Sequence, residues 1–442
     1  MKPNKRDALL PLYLEGDTMK IALLFVLLSV YSSLSFAAKL NTQCTKNSVS
    51  GVIEGLNIEK PFTIASVSKV FATHWAIVKL GPQYRFSTKV HVTPLEDDIY
   101  DVHLTGVLFP YFDKTMYQYL ISELNKLGIN KINFLTYDEN FIYSSDMRTN
   151  AMLAHSNKTQ TPTEIMRELR RDTTNINVGL AALSAKAKAL ENVTMARSLS
   201  LTIRDIHYVA KSDHQTTGAT VTYEFKSTEL HRTLKELNRN SHNYATDLIF
   251  NRLSLLENFN DFLTSRLNVP RNEFSIYNGS GYPVFINEQK LYNEASCRVI
   301  VEMMADLRQQ MVAGGLEFKD IMSVAGKDSE GDGRSTVTQI YGSDKTNGAL
   351  IAKTGTVNNT IALAGMVSTE NENVFFHTSF ATDNTPDDRQ VAYGKVKDWI
   401  INGLIKDKKK SNLDKYIPKT FLPFDRGSSL VVSGSSRNRR LK

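Results

Sequence analysis

Cysteine and tryptophan are scarce, with two of each in 442 residues. Cys44 and Cys297 are too few for a cysteine-built metal site or a disulfide scaffold, and they leave open either one bridge or two separate buried thiols. The chain also lacks H-E-x-x-H, C-x-x-C and an EF-hand loop, and its nine histidines are scattered. No metal and no cofactor is therefore expected. Beyond the N-terminal region no run reaches the about 18 to 20 continuous apolar residues that a membrane span needs. A broad basic surplus is missing as well. The formal charge is +7, yet residues 401–442 alone hold 11 basic and 3 acidic groups, so the body of the chain is close to neutral and no nucleic-acid partner is expected. With 41% hydrophobic and 22% charged residues, the composition excludes a disordered or collagen-like chain. At about 150 residues per domain, two or three domains are expected.

The N-terminus carries an address. From Met19 the chain reads MKIALLFVLLSVYSSLSFA, with Lys20 as the charged start, an apolar run from Ile21 to Tyr31, and Ser35-Phe36-Ala37 as a small-residue cleavage site. Residues 1–37 are read as an N-terminal extension plus a secretory signal peptide, with the start expected at Met19 and an uncleaved anchor helix as the alternative. The mature protein is then soluble and extracytoplasmic. At the other end, residues 426–442 are Gly/Ser-rich and basic and are expected to form a disordered tail. That tail is either a solvated terminus or a weak contact to anionic wall polymer or a membrane surface.

Apolar periodicity predicts a short extended piece leading into a helix within residues 61–80, with Val70, Ala72, Thr73, Ala76, Ile77 and Leu80 facing the core. Strand-like IYDVHLTGVLF and KINFLTY flank a helix near Lys114 to Leu127, and helices follow near Pro162 to Arg171 and Val178 to Leu190. Strand-like SLTIRDIHYVA and TGATVTYEF precede helices at Glu229 to Asn238 and Tyr244 to Leu256. The stretch Gln289 to Met311 reads as helical. ALIAKTGTV, IALAGMVST and NVFFHTSFA read as successive antiparallel strands, with Gly348 and Asn358-Asn359 as turns.

Three short motifs carry chemistry by their order and context. Ser66-Val67-Ser68-Lys69 opens a helix, Ser241-His242-Asn243 sits between two helices, and Lys353-Thr354-Gly355-Thr356 lies on a strand. Ser66 and Lys69, three residues apart on a helix, share one face, and the helix N-terminus favours a developing oxyanion. A serine needs a base at neutral pH. Lys69 can be that base if burial and a neighbouring cation, Lys353, lower its pKa. Ser241 can relay a proton to a leaving amine, and Asn243 can hold the substrate amide or Lys69. A strand bearing K-T-G-T can pair with an extended peptide, with Gly355 removing a side chain where that peptide approaches. The N–H groups of Ser66 and Thr356 would line an oxyanion hole. Lys353 and the hydroxyls of Thr354 and Thr356 can receive a carboxylate. The bland alternatives are an ordinary helix start, an interhelix loop and a strand end with a turn glycine.

S-x-x-K, S-D-N and K-T-G together form the signature of penicillin-binding proteins and class A β-lactamases. The likeness here extends further. ASVSKVFATHWAIVKLGPQYRFSTKV, STELHRTLKELNRNSHNYATDLIF, NGSGYPVFIN and SVAGKDSEGDGR ahead of AKTGTVNNTIALAGMV together resemble the DacB-like D-alanyl-D-alanine carboxypeptidases and endopeptidases, the class C low-molecular-mass penicillin-binding proteins. The resemblance covers most of residues 61–95 and 220–385. It implies an α+β fold: a transpeptidase-like domain, with an antiparallel sheet flanked by helices plus an all-helical part, over 38–95 and 215–425, and an inserted smaller α/β domain over 96–214. It implies a serine DD-peptidase that cleaves D-Ala-D-Ala termini or D-Ala cross-links of peptidoglycan stem peptides through a Ser66 acyl-enzyme, in the periplasm or an equivalent wall space. β-Lactam antibiotics would be covalent inhibitors. Arg334 falls at the position of the family's arginine after A-G-x-D-G and would bind a substrate carboxylate, with a surface salt bridge as the alternative.

Departures from the family pattern are specific. His242 stands where Asp or Asn is usual and is read as a solvent-facing loop residue. Asn278 stands where Asp is usual, and Gly106-Val107-Leu108-Phe109-Pro110 replaces G-G-D-P, losing an aspartate associated with gripping the diaminoacid. The stretch between Ser66 and Ser241 is short for a family that inserts two domains there. One inserted domain is expected to be kept and the other reduced or absent, leaving a more open cleft that favours endopeptidase work on cross-linked peptides. A β-lactamase on the same fold and a non-catalytic muropeptide-binding protein are the alternatives.

Overall fold

The computed structural model describes residues 38–96, 98–147, 160–328, 335–406, 408–409 and 412–434. The predicted signal peptide, Arg334 and residues 435–442 of the basic tail lie outside the described residues. No helix among the described residues is long and apolar enough to cross a membrane.

One of two six-stranded sheets among the described residues runs in the order Ser323–Val324, Leu350–Val357, Thr360–Ser368, Asn373–Ala381, Lys39–Asn47, Ile53–Leu56, antiparallel throughout. Its central strands are apolar on both faces because both are covered. Leu350, Ala352, Ile361 and Leu363 pack on one side with Ala392 and Val396 of the helix Pro386–Asp398. Ile351, Ala362 and Ala364 join the core that contains the helices Ser68–Leu80 and Cys297–Ala313. The period of two along a strand therefore sends Lys353, two residues after Ile351, toward the Ser68–Leu80 helix. That helix is buried on every side from Ser68 to Ile77 rather than along one stripe, as a helix through the centre of a core must be. Trp75 sits edge-on to Phe250 and Phe259 within it. Cys44 and Cys297 form a disulfide that ties the Lys39–Asn47 strand to the start of the Cys297–Ala313 helix, which decides the pairing that the sequence left open.

The second sheet has the order Val431–Val432, Val221–Lys226, Ser87–Pro94, Ile99–Thr105, Lys131–Tyr137, Thr202–Tyr208. Ile99–Thr105, Lys131–Tyr137 and Thr202–Tyr208 are parallel neighbours. Their crossovers contain the helices Lys114–Lys126, Pro162–Thr174 and Leu180–Glu191, which gives this unit its α/β character. Its sheet reaches past the 96–214 bounds of the expected insert, because Ser87–Pro94 and Val221–Lys226 pair antiparallel with each other and belong to it.

Two expectations are corrected. Residues 426–434 are ordered and do not belong to a disordered tail: Asp425 caps the turn Arg426–Ser428, and Val431–Val432 pairs with Tyr223 and Glu224. An ion pair from Arg85 to Asp425 at 2.8 Å and stacking of Phe424 on Tyr119 fasten this strap. Basic residues just upstream are also engaged, Lys408 with Glu372 and Lys409 with Glu370. The stretch 289–311 is helical only from Cys297; Val284–Ile286 and Gln289–Leu291 form a hairpin instead. Asn287 and Glu288 take positive φ at its turn, and Ser296 caps the helix that follows, so the local turn and cap outweigh the apolar periodicity.

Candidate active site

Ser66 lies in the 3-10 turn Ala65–Val67, which runs directly into the Ser68–Leu80 helix. The turn is clamped from two sides. A Cβ on Gly355 would stand 2.6 Å from the Ile64 carbonyl oxygen, and a Cβ on Gly281, at φ +76°, would stand 2.0 Å from the Ala65 carbonyl oxygen. Gly355 thus admits the backbone that carries Ser66, where the sequence suggested room for substrate. Ser68 Oγ donates to Ala65 O at 2.6 Å and closes the turn.

Lys69 Nζ reaches three acceptors: Ser66 Oγ at 3.0 Å, Asn243 Oδ1 at 2.7 Å and Ser280 O at 2.7 Å. Burial lowers its pKa to about 7, opposed by the negative charge of Asp247. The two buried amines disfavour each other's charge, so Lys353 is the cation the sequence placed beside Lys69. Lys353 is itself held well below its ordinary value, by burial first and by Lys69 second. Lys353 Nζ donates to Ser241 Oγ at 2.8 Å and to Thr354 O at 2.9 Å. Ser241 closes the helix Leu230–Asn240 in a left-handed conformation (φ 56°), and Asn243 opens the next helix, Asn243–Ser254. Two serines and two lysines are thus interleaved, each lysine on one serine, and an alcohol beside a neutralisable buried amine is the arrangement that makes a serine nucleophilic.

His242 is a correction. It is fully buried, not solvent-facing. Its Nδ1 accepts from Ala245 N–H at 3.2 Å as the helix cap, and its Nε2 lies 2.7 Å from Met147 O. That geometry makes Nε2 the protonated nitrogen and turns the imidazole away from Ser241, toward the second unit.

Sequence reasoning missed three parts of the site. Asp247 is one helical turn past Asn243 and accepts from Ser280 N–H at 2.8 Å, and burial raises its pKa. Ser280 supplies the carbonyl that holds Lys69, and Gly281 allows its loop to touch the serine turn. The i, i+4 spacing of Asn243 and Asp247 is a signal that could have found the first; Ser280 and Gly281 stand inside the N-G-S-G stretch already singled out.

The Leu350–Val357 strand pairs along its whole length with Thr360–Ser368, but on its other side, among the described residues, only with Ser323–Val324. From Lys353 onward no described strand pairs with that edge. Ala325 N donates to Leu350 O at 2.9 Å, so the even-numbered residues turn their N–H and C=O groups to this edge. Thr354 and Thr356 are therefore the residues that offer it hydrogen bonds. Their hydroxyls bond to Thr336 Oγ1 at 2.9 Å and Tyr393 OH at 3.1 Å. A cleft of about 450 Å³ opens here, reached by Ser66, Ser241, Asn243, Thr354 and Thr356. Its described lining holds two cations, Lys290 and Arg389, and no carboxylate.

A serine turn, a buried lysine beside it, a second serine–lysine pair and a free strand edge are the parts of a serine DD-peptidase site, and the chain's likeness to known proteins places it in that class. Residues 169–396 match the D-Ala-D-Ala carboxypeptidase 3 (S13) family. The chain resembles the predatory endopeptidase Bd3459 from Bdellovibrio bacteriovorus, solved with immunity protein Bd3460, at 32% identity and TM-score 0.80, over 90% of this chain and 100% of that one. Bd3459 is also known acylated by penicillin G. Bd0816 from the same organism, solved with the same immunity protein, matches at 29% identity and TM-score 0.78, over 89% and 100%. Penicillin-binding protein 4 (dacB) from Haemophilus influenzae shares the fold at 15% identity and TM-score 0.55, over 81% and 97%. No curated protein sequence matches. The chain belongs to the D-Ala-D-Ala carboxypeptidase 3 (S13) family, with the α+β penicillin-binding fold that its motifs implied.

Proposed function

We propose that the chain hydrolyses peptidoglycan stem peptides through an acyl-enzyme on Ser66, with D-Ala cross-links as the favoured substrate. The observation that carries this is the triple hold on Lys69, which places a neutralisable amine 3.0 Å from Ser66 Oγ. Neutral Lys69 takes the Ser66 proton as Oγ attacks the D-Ala carbonyl. The Ser66 and Thr356 N–H groups receive the oxyanion, and the proton taken by Lys69 is passed by way of Ser241, which Lys353 holds, to the leaving amine, so Lys69 is neutral again. Asn243 keeps Lys69 and the substrate amide in register. The edge of the Lys353–Thr356 strand, with Gly355 at the serine turn, holds the peptide, and Thr354 with Arg334 receives its carboxylate. Water then attacks the acyl carbonyl, its proton passing to neutral Lys69 and from there to Ser66 Oγ as the acyl group leaves.

The cross-link preference rests on the one-piece insert and on the endopeptidase activity named for Bd3459. Acylation of Bd3459 by penicillin G supports the same fate for Ser66 here. The absence of a carboxylate from the described cleft lining favours slow release of that acyl group, and so a penicillin-binding protein over a β-lactamase. His242 faces away from the cleft and gives no support to loss of turnover. A wall-space location after signal-peptide removal fits this substrate, and the immunity protein bound to both Bdellovibrio enzymes supports control of this chain by a protein inhibitor. The ordered strap proposes a domain boundary in which the second unit is the 87–226 sheet closed by residues 431–432. Labelled penicillin should attach covalently to wild type and not to Ser66→Ala. With purified peptidoglycan, loss of cross-linked dimers marks the endopeptidase, loss of terminal Ala marks the carboxypeptidase, and an unchanged muropeptide profile overturns the reading.

A further inference from the structure

The hairpin Val284–Ile286/Gln289–Leu291 pairs with no other strand among the described residues. Phe285 and Lys290 are directly opposite across it, so their side chains share a face. Lys290 lines the cleft that contains Ser66, together with Tyr282 and Tyr292. Phe285 therefore stands on the cleft side of the hairpin, 71% exposed, with Tyr282 41% exposed beside the mouth. Exposed aromatic residues grouped at the rim of a substrate cleft mark a binding surface.

The position of this surface along the substrate follows from the strand edge. The scissile carbonyl lies near Gly355, where the strand meets the serine turn. Toward Lys353 the strand is fully buried, and toward Asn358 it emerges into solvent. The acyl portion of the stem must run toward Asn358, about 10 Å away at about 3.4 Å per residue. Asn358 Nδ2 donates to Tyr292 OH at 3.1 Å, and Lys290 Nζ lies 5.4 Å from the Tyr292 ring. A stem leaving the cleft at Asn358 is delivered to the hairpin within three or four residues, which is where a stem joins its sugar. Amino sugars present flat C–H faces that pack on aromatic rings, while their hydroxyl and amide groups remain available to phenol oxygens.

We propose that this hairpin is a sugar-binding wall, with Tyr282, Phe285 and Tyr292 taking the amino-sugar ring that carries the stem held at Ser66. This rests on the reading of the cleft as a stem-peptide site. The test uses the full mature chain with a cross-linked muropeptide dimer and with the same peptide dimer after amidase removal of its sugars. Phe285→Ala is expected to lower kcat/KM on the sugar-bearing dimer about five- to tenfold, chiefly through KM, to leave cleavage of the bare dimer near wild type, and to be rescued by Phe285→Trp. Equal loss on both dimers, which marks a peptide contact, overturns the wall, and so does no loss on either. Covalent penicillin labelling of wild type and variant separates the two readings: wild type that neither labels nor cleaves defeats the cleft and the wall together, whereas labelling with either overturning pattern defeats the wall alone.

Discussion

Gly355 and the Ile64 carbonyl are in contact across the site: a Cβ at position 355 would fall 2.6 Å from that oxygen. The strand that offers its edge to substrate and the turn that offers the nucleophile are thus fitted directly onto each other. Gly355→Ala is expected to push the Ser66 turn away from the strand. Misplacement of about 1 Å costs about 100-fold in a positioned reaction, while overpacking costs about 1 to 3 kcal/mol of stability. Penicillin acylation rates together with a chemical denaturation curve check both, and an acylation rate within about twofold of wild type contradicts the clamp.

Lys69, lowered to about 7 by burial, must be neutral to accept the Ser66 proton. Acylation should therefore rise with pH through about 7 and level off above it, with about one tenth of the maximal rate at pH 6. Asp247 raises the pKa of Lys69, so Asp247→Asn should move this limb to lower pH. The folded pKa lies below the ordinary lysine value of 10.5, so between about 7 and 10.5 the unfolded chain binds more protons at this residue. Its contribution to stability rises with pH across that window. Stopped-flow acylation of both proteins across pH 5 to 9 is the measurement, and a limb that stays in place or moves upward in the variant excludes this role for Asp247.

His242 joins a helix cap to the second unit through Ala245 N and Met147 O. His242→Ala removes both bonds and should cost about 1 to 3 kcal/mol. His242→Asp restores the cap alone and should fall between. Folded His242→Ala should still take labelled penicillin at Ser66, because the imidazole faces away from the cleft. Unfolding midpoints of the three proteins, with labelling stoichiometry, check this; an unlabelled but folded variant assigns His242 to catalysis instead.

Much of the site was legible because it is written in short spacings. Ser66 and Lys69 meet through one helical turn, and Thr354 and Thr356 share an edge through the period of two. Asn243 opens a helix just after Ser241 closes one. The central strands Leu350–Val357, Thr360–Ser368 and Asn373–Ala381 were legible as apolar runs between turns. The hairpin at residues 284–291 was not, since its Leu291 also fits the apolar spacing of the helix beyond it. The strap at residues 426–434 was not either, because a Gly/Ser-rich basic composition says nothing of a distant strand waiting for a partner.

The sequence by itself determined which side-chain types stand at the candidate site, because S-x-x-K, S-x-N and K-T-G-T fix them at local spacings. Tertiary structure alone decided that Lys69 is buried deeply enough to be neutralised, that Cys44 meets Cys297, that Gly355 serves the serine turn and that His242 points away from the cleft. Each of these depends on a partner brought from far along the chain, and such contacts are set by packing, which no local pattern encodes.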